Sequence, residues 1–194
     1  IGENAFRGES ALVSVKIPSS VTTIGSAAFA NSTALTNVEI PNSVTEIGEG
    51  VFNGCDALTN ITIPNSVTTI GERAFNGCRA LTKIAISNNL TTIGTGTFTG
   101  CTALTSIEIP NSVTTIGSAA FSWCSALTNI EIPNSVTMIG DGAFDNCSNL
   151  ESVKISEKLT ILNRNLFARC TALANIELPA SVTEIGEGVF NGCN

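Results

Sequence analysis

Seven cysteines stand at positions 55, 78, 101, 124, 147, 170 and 193, one every 23 residues, and they are the first candidates for chemistry in this chain. Such spacing can be read as a disulfide framework, since Cα atoms on adjacent windings of a 23-residue coil would fall within the ~4.4–6.8 Å that a bridge allows. Direction argues against it. Stacked residues send their Cβ atoms out in parallel, and seven is an odd number. A metal string fares worse, because zinc sites need closely spaced pairs from which four ligands converge. The remaining reading is a buried free thiol that packs as a small hydrophobe. The chain has no His and no Tyr, which removes histidine triads, histidine metal ligands and the usual switch near neutral pH. Glycines are spread singly, so no phosphate-cradling loop exists either. No catalytic residue, metal site or cofactor is expected.

Two further features invite the same question. Glu108 and Glu131 occupy the same place in adjacent 23-residue units, so their carboxylates would lie about 5 Å apart, a separation compatible with a retaining glycosidase. Ladders create such pairs automatically, however, and a flat strand surface has no pocket to raise one pKa. Solvated charges, or a weak Ca²⁺ contact, are the expected outcome. Trp123 stands where a small residue usually precedes Cys. It is either an exposed binding anchor or a ring folded over the core. Four Asn-x-Ser/Thr sequons, at Asn31, Asn60, Asn89 and Asn146, are what chance supplies in a chain this rich in Asn, Ser and Thr.

The period itself comes from the elements that position these residues. Leu recurs at 12, 35, 58, 81, 104, 127, 150 and 173, Phe from 6 to 190 at the same interval, and Thr from 22 to 183. An unbroken series with no linker predicts one repeat domain over residues 1–194. In the unit at 35–57, Leu35, Val38 and Ile40 alternate with polar residues, which predicts a short strand with one buried face. Pro41 ends it, having no N–H for a ladder. Val44 and Ile47 turn inward around a second extended piece, with the Thr column outward. Gly at 2, 25, 48, 71, 94, 117, 140 and 186, replaced once by Asn163, predicts a left-handed backbone. A single helical turn is then expected to carry Phe and Cys inward, with Glu49, Glu72, Asp141 and Glu187 at its positive end. The whole is a mainly β solenoid of about eight coils, roughly 40 Å long at ~4.8 Å per coil. Parallel strands form its concave face. Residues 86–94 and 155–163 lose Pro and exchange Val for Leu, so a local change of bend is expected there.

The unit read from Leu58 through Cys78, L-x-x-I-x-I-P-x-S-V-T-x-I-G-x-x-A-F-x-x-C, resembles the bacterial leucine-rich repeat type named for the surface antigen BspA, also called the Treponema pallidum type. Period, Pro, Gly, Ala-Phe and Cys match together over the whole chain. The common leucine-rich repeat has an Asn ladder after its first strand, which is lacking here. The resemblance implies a non-enzymatic cell-surface or secreted protein that adheres to host matrix or plasma proteins, such as fibronectin and fibrinogen, or to other microbes.

Composition narrows the partners. A formal charge of −7 and a pI of about 4.5 repel phosphate backbones and anionic lipid, so nucleic acid is not expected. No apolar run approaches the ~20 residues of a spanning helix, so this stretch is not expected to insert in a membrane. The outward strand residues Thr36, Asn37, Glu39, Thr59, Asn60, Thr62, Thr82, Lys83, Thr105, Ser106, Glu108, Thr128, Asn129 and Glu131 form a broad polar face suited to a protein partner. A passive spacer presenting another domain is the alternative. The chain opens at Ile1 inside a repeat and shows no polar cap, so a longer array is expected. Uncapped coils would otherwise associate end to end.

Overall fold

The computed structural model describes residues 1–193 and winds them into stacked 23-residue coils. Most coils carry two short strands. On the concave face lie β1 (Ser14–Lys16), β3 (Asn37–Glu39), β5 (Asn60–Thr62), β7 (Lys83–Ala85), β10 (Asn129–Glu131) and β12 (Ser152–Lys154). On the second face lie β2 (Thr23–Ile24), β4 (Glu46–Ile47), β6 (Thr69–Ile70), β8 (Thr92–Ile93), β9 (Thr115–Ile116), β11 (Met138–Ile139), β13 (Ile161–Leu162) and β14 (Glu184–Ile185). All pairing is parallel, and each residue faces its equivalent 23 positions on, as in Val15 with Val38 and Ile47 with Ile70. Like residues therefore form columns. The Phe rings from Phe6 to Phe190 stack near-parallel with centroids 5.1–5.9 Å apart. The Leu column from Leu35 to Leu150 is fully buried beside them.

The expected helical turn is absent: among the described residues there is no helix. Its place is taken by consecutive tight turns. In one coil the N–H groups of Ala27, Phe29 and Asn31 donate to the carbonyls of Glu49, Val51 and Asn53 in the next, at 2.7–2.9 Å. The intervening N–H groups of Ala28, Ala30 and Ser32 donate three residues back within their own coil, at 3.1–3.2 Å. A one-turn helix leaves its terminal donors and acceptors unpaired, whereas this arrangement pairs every second group with the neighbouring coil. The pattern forces left-handed backbone at two positions per coil, for example Gly50 (φ 59°) and Gly54 (φ 70°). Without a helix there is no positive end for the acidic residues to meet. Glu49 and Glu187 instead approach Arg73 and Arg164 of adjacent coils, at 3.9 and 3.3 Å.

The glycine column is corrected too. None of those glycines has positive φ. They are required because the coils touch there: a Cβ on Gly48 would sit 2.7 Å from the Ser26 nitrogen, and one on Gly117 would sit 2.6 Å from the Thr95 nitrogen. Gly2, with nothing within 4 Å, and Gly94, with nothing nearer than 3.5 Å, are the exceptions. At the matching place in the other proline-free coil, Asn163 fits and donates its side-chain amide to the Ile139 carbonyl at 2.5 Å.

Both proline-free coils share a further change. In regular coils the third residue of the Pro-Asn-Ser or equivalent turn holds the corner: Ser43, Ser112 and Ser181 donate to the carbonyls of Val21, Leu90 and Leu159 at 2.6–2.7 Å. Where Pro is replaced, Ser87 and Ser156 take over this role toward Val67 and Val136, at 2.6 and 2.7 Å. The hydroxyls of Ser66 and Ser135, one coil earlier, are then buried without a hydrogen-bond partner. The second-face ladder stops between β6 and β8 and again between β11 and β13. The concave ladder stops one coil onward, after β7 and after β12, and it is also open between β3 and β5. Each proline-free coil is thus a joint in the hydrogen-bonded stack.

The cysteines are free thiols, six of them buried and Cys193 half-buried. Each donates Sγ–H to the carbonyl of the Phe 26 residues earlier, at 3.1–3.2 Å. Ser32 makes the same bond to Phe6 at 2.7 Å. Burial pushes Cys55, Cys124 and Cys170 up to about 12 and raises Cys78, Cys101 and Cys147 as well.

Two expectations follow from the packing. Ala at Gly117 forces the coils apart and should cost about 1–3 kcal/mol in urea unfolding, whereas Ala at Gly94 should change the midpoint little. The thiols keep their protons in the folded chain and ionise near pH 8.5 once unfolded, so their contribution is complete below that pH and is lost as pH rises toward 12. The urea midpoint should accordingly fall across that window, and a thiol reagent at pH 7.5 should label Cys193 well before the other six, as read by mass spectrometry.

Candidate functional site

The concave strands position the site by alternation. In each three-residue strand the central residue enters the core, as Val38, Ile61, Ile84 and Ile130 do, and the flanking residues face out. Thirteen of the fourteen candidate residues are exposed, and Thr36 is half-buried. They lie together on one face, in columns that run along the stack. Thr36 and Thr82 donate their hydroxyls to the carbonyls of Val13 and Thr59, one coil back, at 3.1 Å. Asn60 and Asn129 rest their amides on Thr59 and Thr128 at 3.2 and 3.1 Å. Thr36 and Thr82 therefore spend their donors on the scaffold, while Thr59 and Thr128 hold the Asn side chains in place. The Asn carbonyls and the charged groups of Glu39, Lys83 and Glu108 make no ion pair or side-chain hydrogen bond among the described residues.

Glu108 and Glu131 do share a column, as the period required. Glu131 is bound to the Lys154 ammonium at 2.6 Å, with both groups largely exposed. This bond raises the Lys154 pKa. Neither carboxylate is enclosed, so the pair lacks the surroundings that general acid catalysis needs. Among the described residues no group of three His, Cys, Asp or Glu is placed to hold a metal ion.

The strand at 106–108 departs from expectation. Residues 106–109 make no backbone hydrogen bond to either neighbouring coil. A shallow depression of about 840 Å³ lies over this gap, lined by Asn60, Thr62, Lys83, Ala85, Ser106 and Glu108 among others. Sequence pattern alone missed it. The signal was present in Ala85, the one residue without a polar side chain in the column Lys16, Glu39, Thr62, Ala85, Glu108, Glu131, Lys154 and Glu177.

Trp123 lies away from this face, on the turn ladder. It is 54% exposed, which excludes the ring folded over the Phe column. Its φ is 62°, in a column where Gly8, Gly54, Gly77, Gly100 and Gly192 adopt the same conformation. For a residue with a Cβ that conformation costs roughly 1–2 kcal/mol. A second departure is the pair Met138 and Ile161, exposed at 59% and 39% in a column otherwise of Thr and Glu.

Comparison with known proteins agrees with this geometry. The sequence matches the BspA type leucine rich repeat region, in six copies, over residues 1–125 and 91–194. Its structure is similar to the Treponema pallidum leucine-rich repeat protein TpLRR, at a TM-score of 0.74 and 32% identity, over 93% of this chain and 76% of that one. A leucine-rich repeat protein from Eubacterium ventriosum follows at 0.61 and 28%, over 93% of this chain and 43% of that one. The pneumococcal vaccine antigen PcpA shares the fold at 0.62 and 24%, over all of this chain and 51% of the other. No curated protein matches the sequence. The chain belongs to the BspA-type leucine-rich repeat family, a group of solenoid scaffolds that typically make protein–protein contacts.

Proposed function

We propose that this array is the binding portion of a cell-surface or secreted adhesion protein that contacts extracellular proteins through its concave face. One observation carries the reading: a broad exposed field of Asn, Ser, Thr and isolated charges, set in register wherever the concave strands pair. Polar faces of this kind suit an extended partner, because each hydrogen bond contributes only ~0.5–1.5 kcal/mol net and many must act together. The acidic balance of the chain turns the preference from nucleic acid and anionic membrane toward proteins with neutral or basic surfaces. The resemblance in sequence makes fibronectin and fibrinogen the partners to try first. Trp123 is a second candidate contact, on a separate face.

Immobilised fibronectin and fibrinogen, probed by surface plasmon resonance, test this. The quadruple variant Asn60→Ala, Lys83→Ala, Ser106→Ala and Asn129→Ala should weaken binding at least ten-fold, about 1.4 kcal/mol, with an unchanged thermal midpoint. Thr68→Ala with Thr114→Ala on the second face should leave it unaltered. Trp123→Gly should weaken binding only where the partner reaches the turn ladder, and should raise the thermal midpoint by relieving backbone strain. Equal binding by the parent and the concave variant would mean that the array is a passive spacer.

A further inference from the structure

The two proline-free coils interrupt the stack alike, yet their concave surfaces carry different side chains. At the second joint Lys154 reaches across to Glu131 at 2.6 Å and fills the face. At the first joint the equivalent residue is Ala85, itself exposed, and the equivalent of Glu131 is Thr62. What the second joint closes with its own ion pair, the first leaves as an open notch. Lys83 lies on one side of this notch and Glu108 on the other. Among the described residues neither belongs to a salt bridge, although five such bridges occur elsewhere.

We propose that the notch over Ala85 seats an extended polypeptide segment of a partner protein that carries an acidic and a basic side chain two residues apart, the acid on Lys83 and the base on Glu108. This rests on the reading of the concave face as protein-binding and specifies where and what it binds. Lys83 and Glu108 are two residues apart along the strand direction and one coil apart across it, so their Cα atoms are separated by at least about 8 Å, taking ~3.3 Å per residue and the ~4.8 Å of paired strands as the least spacing across the open ladder. Alternate side chains of an extended peptide point the same way and are spaced about 6.6 Å. Two flexible charged side chains accommodate that difference. A neutral ligand such as a sugar would cover both charges without pairing them, which is costly, and the notch has no aromatic side chain for a sugar ring to stack on. Lys154 shows from within the chain that a lysine fits over this column and bonds a carboxylate there.

The test is an NMR titration of the ¹⁵N-labelled chain with millimolar blocked pentapeptides: Thr-Glu-Thr-Lys-Thr, its reverse-charge partner Thr-Lys-Thr-Glu-Thr, and neutral Thr-Gln-Thr-Met-Thr. At least one charged peptide should shift the amides of residues 83–88 and 105–109, with the neutral peptide at least ten-fold weaker. Ala85→Lys, which copies the second joint, should abolish the shifts without moving the thermal midpoint. The exchange Lys83→Glu with Glu108→Lys should reverse the preferred peptide order. Shifts from neither charged peptide, equal shifts from the neutral one, or shifts indifferent to Ala85→Lys would each overturn the proposal. Fibronectin or fibrinogen binding that is lost in the quadruple concave variant but kept in Ala85→Lys would overturn the notch and leave the broader reading standing.

Discussion

The contact on which everything else rests is backbone against backbone at the glycine column. There the coils approach until no Cβ fits between them, as at Gly48 and Gly117, and this closeness brings the turn ladder within hydrogen-bonding range. Once that ladder closes, at 2.7–2.9 Å for the donors of Ala27, Phe29 and Asn31, the register is fixed at 23 residues. Phe then faces Phe and Cys lies under the Phe carbonyl one coil back. The core follows from the register. A coil with 22 or 24 residues would displace every column above it, which is why the period shows no insertion across the chain. Stability is accordingly shared between neighbours, as in other one-dimensional arrays.

Much of this was legible in the residues. Columns of Leu, Phe and Thr gave the solenoid, strict alternation before Pro gave the concave strand, and parallel Cβ directions were enough to reject disulfides. The misreadings have a common cause. Glycine answers two different needs, positive φ and close approach, and sequence does not separate them. The column at 25, 48 and 71 answers the second need. The first is met at 27 and 31 and their equivalents, where Ala, Arg, Asn and Trp occur among the glycines and hide the signal. The turn ladder was invisible for a related reason: its hydrogen bonds run between coils, so the local pattern resembles one turn of helix. The joints were visible as lost prolines, but not their consequence. That depends on Ser87 and Ser156 taking a bond that elsewhere belongs to the third residue of the turn.

The candidate site was legible in outline only. Which residues face outward follows from alternation, and the structure places all fourteen on the concave face. Which of them differ from their neighbours in a useful way does not follow, because a repeat predicts sameness. The depression at the first joint needs two coincident facts, an interrupted ladder and a small residue at 85, and only the second can be read from the letters.

A stack of identical coils presents the same chemistry at every level and can select a partner only weakly, by area. Selectivity has to come from positions where the repetition is broken without disturbing the register. Three such breaks are exposed here: Ala85 at the first joint, Trp123 on the turn ladder, and Met138 with Ile161 on the second face. Each departs from its column in an outward side chain, while Phe, Leu and Cys beneath it continue unchanged. The interior therefore stays free to repeat because it carries no recognition, and the surface is free to vary because the register does not depend on it. Trp123 shows the limit of that freedom, since it keeps a large side chain at a left-handed position that five other coils fill with glycine. Its backbone still serves the stack, donating to the Asp145 carbonyl at 2.8 Å, so the register is kept whatever side chain the position carries, as Asn31, Asn146 and Arg169 in the same column also show.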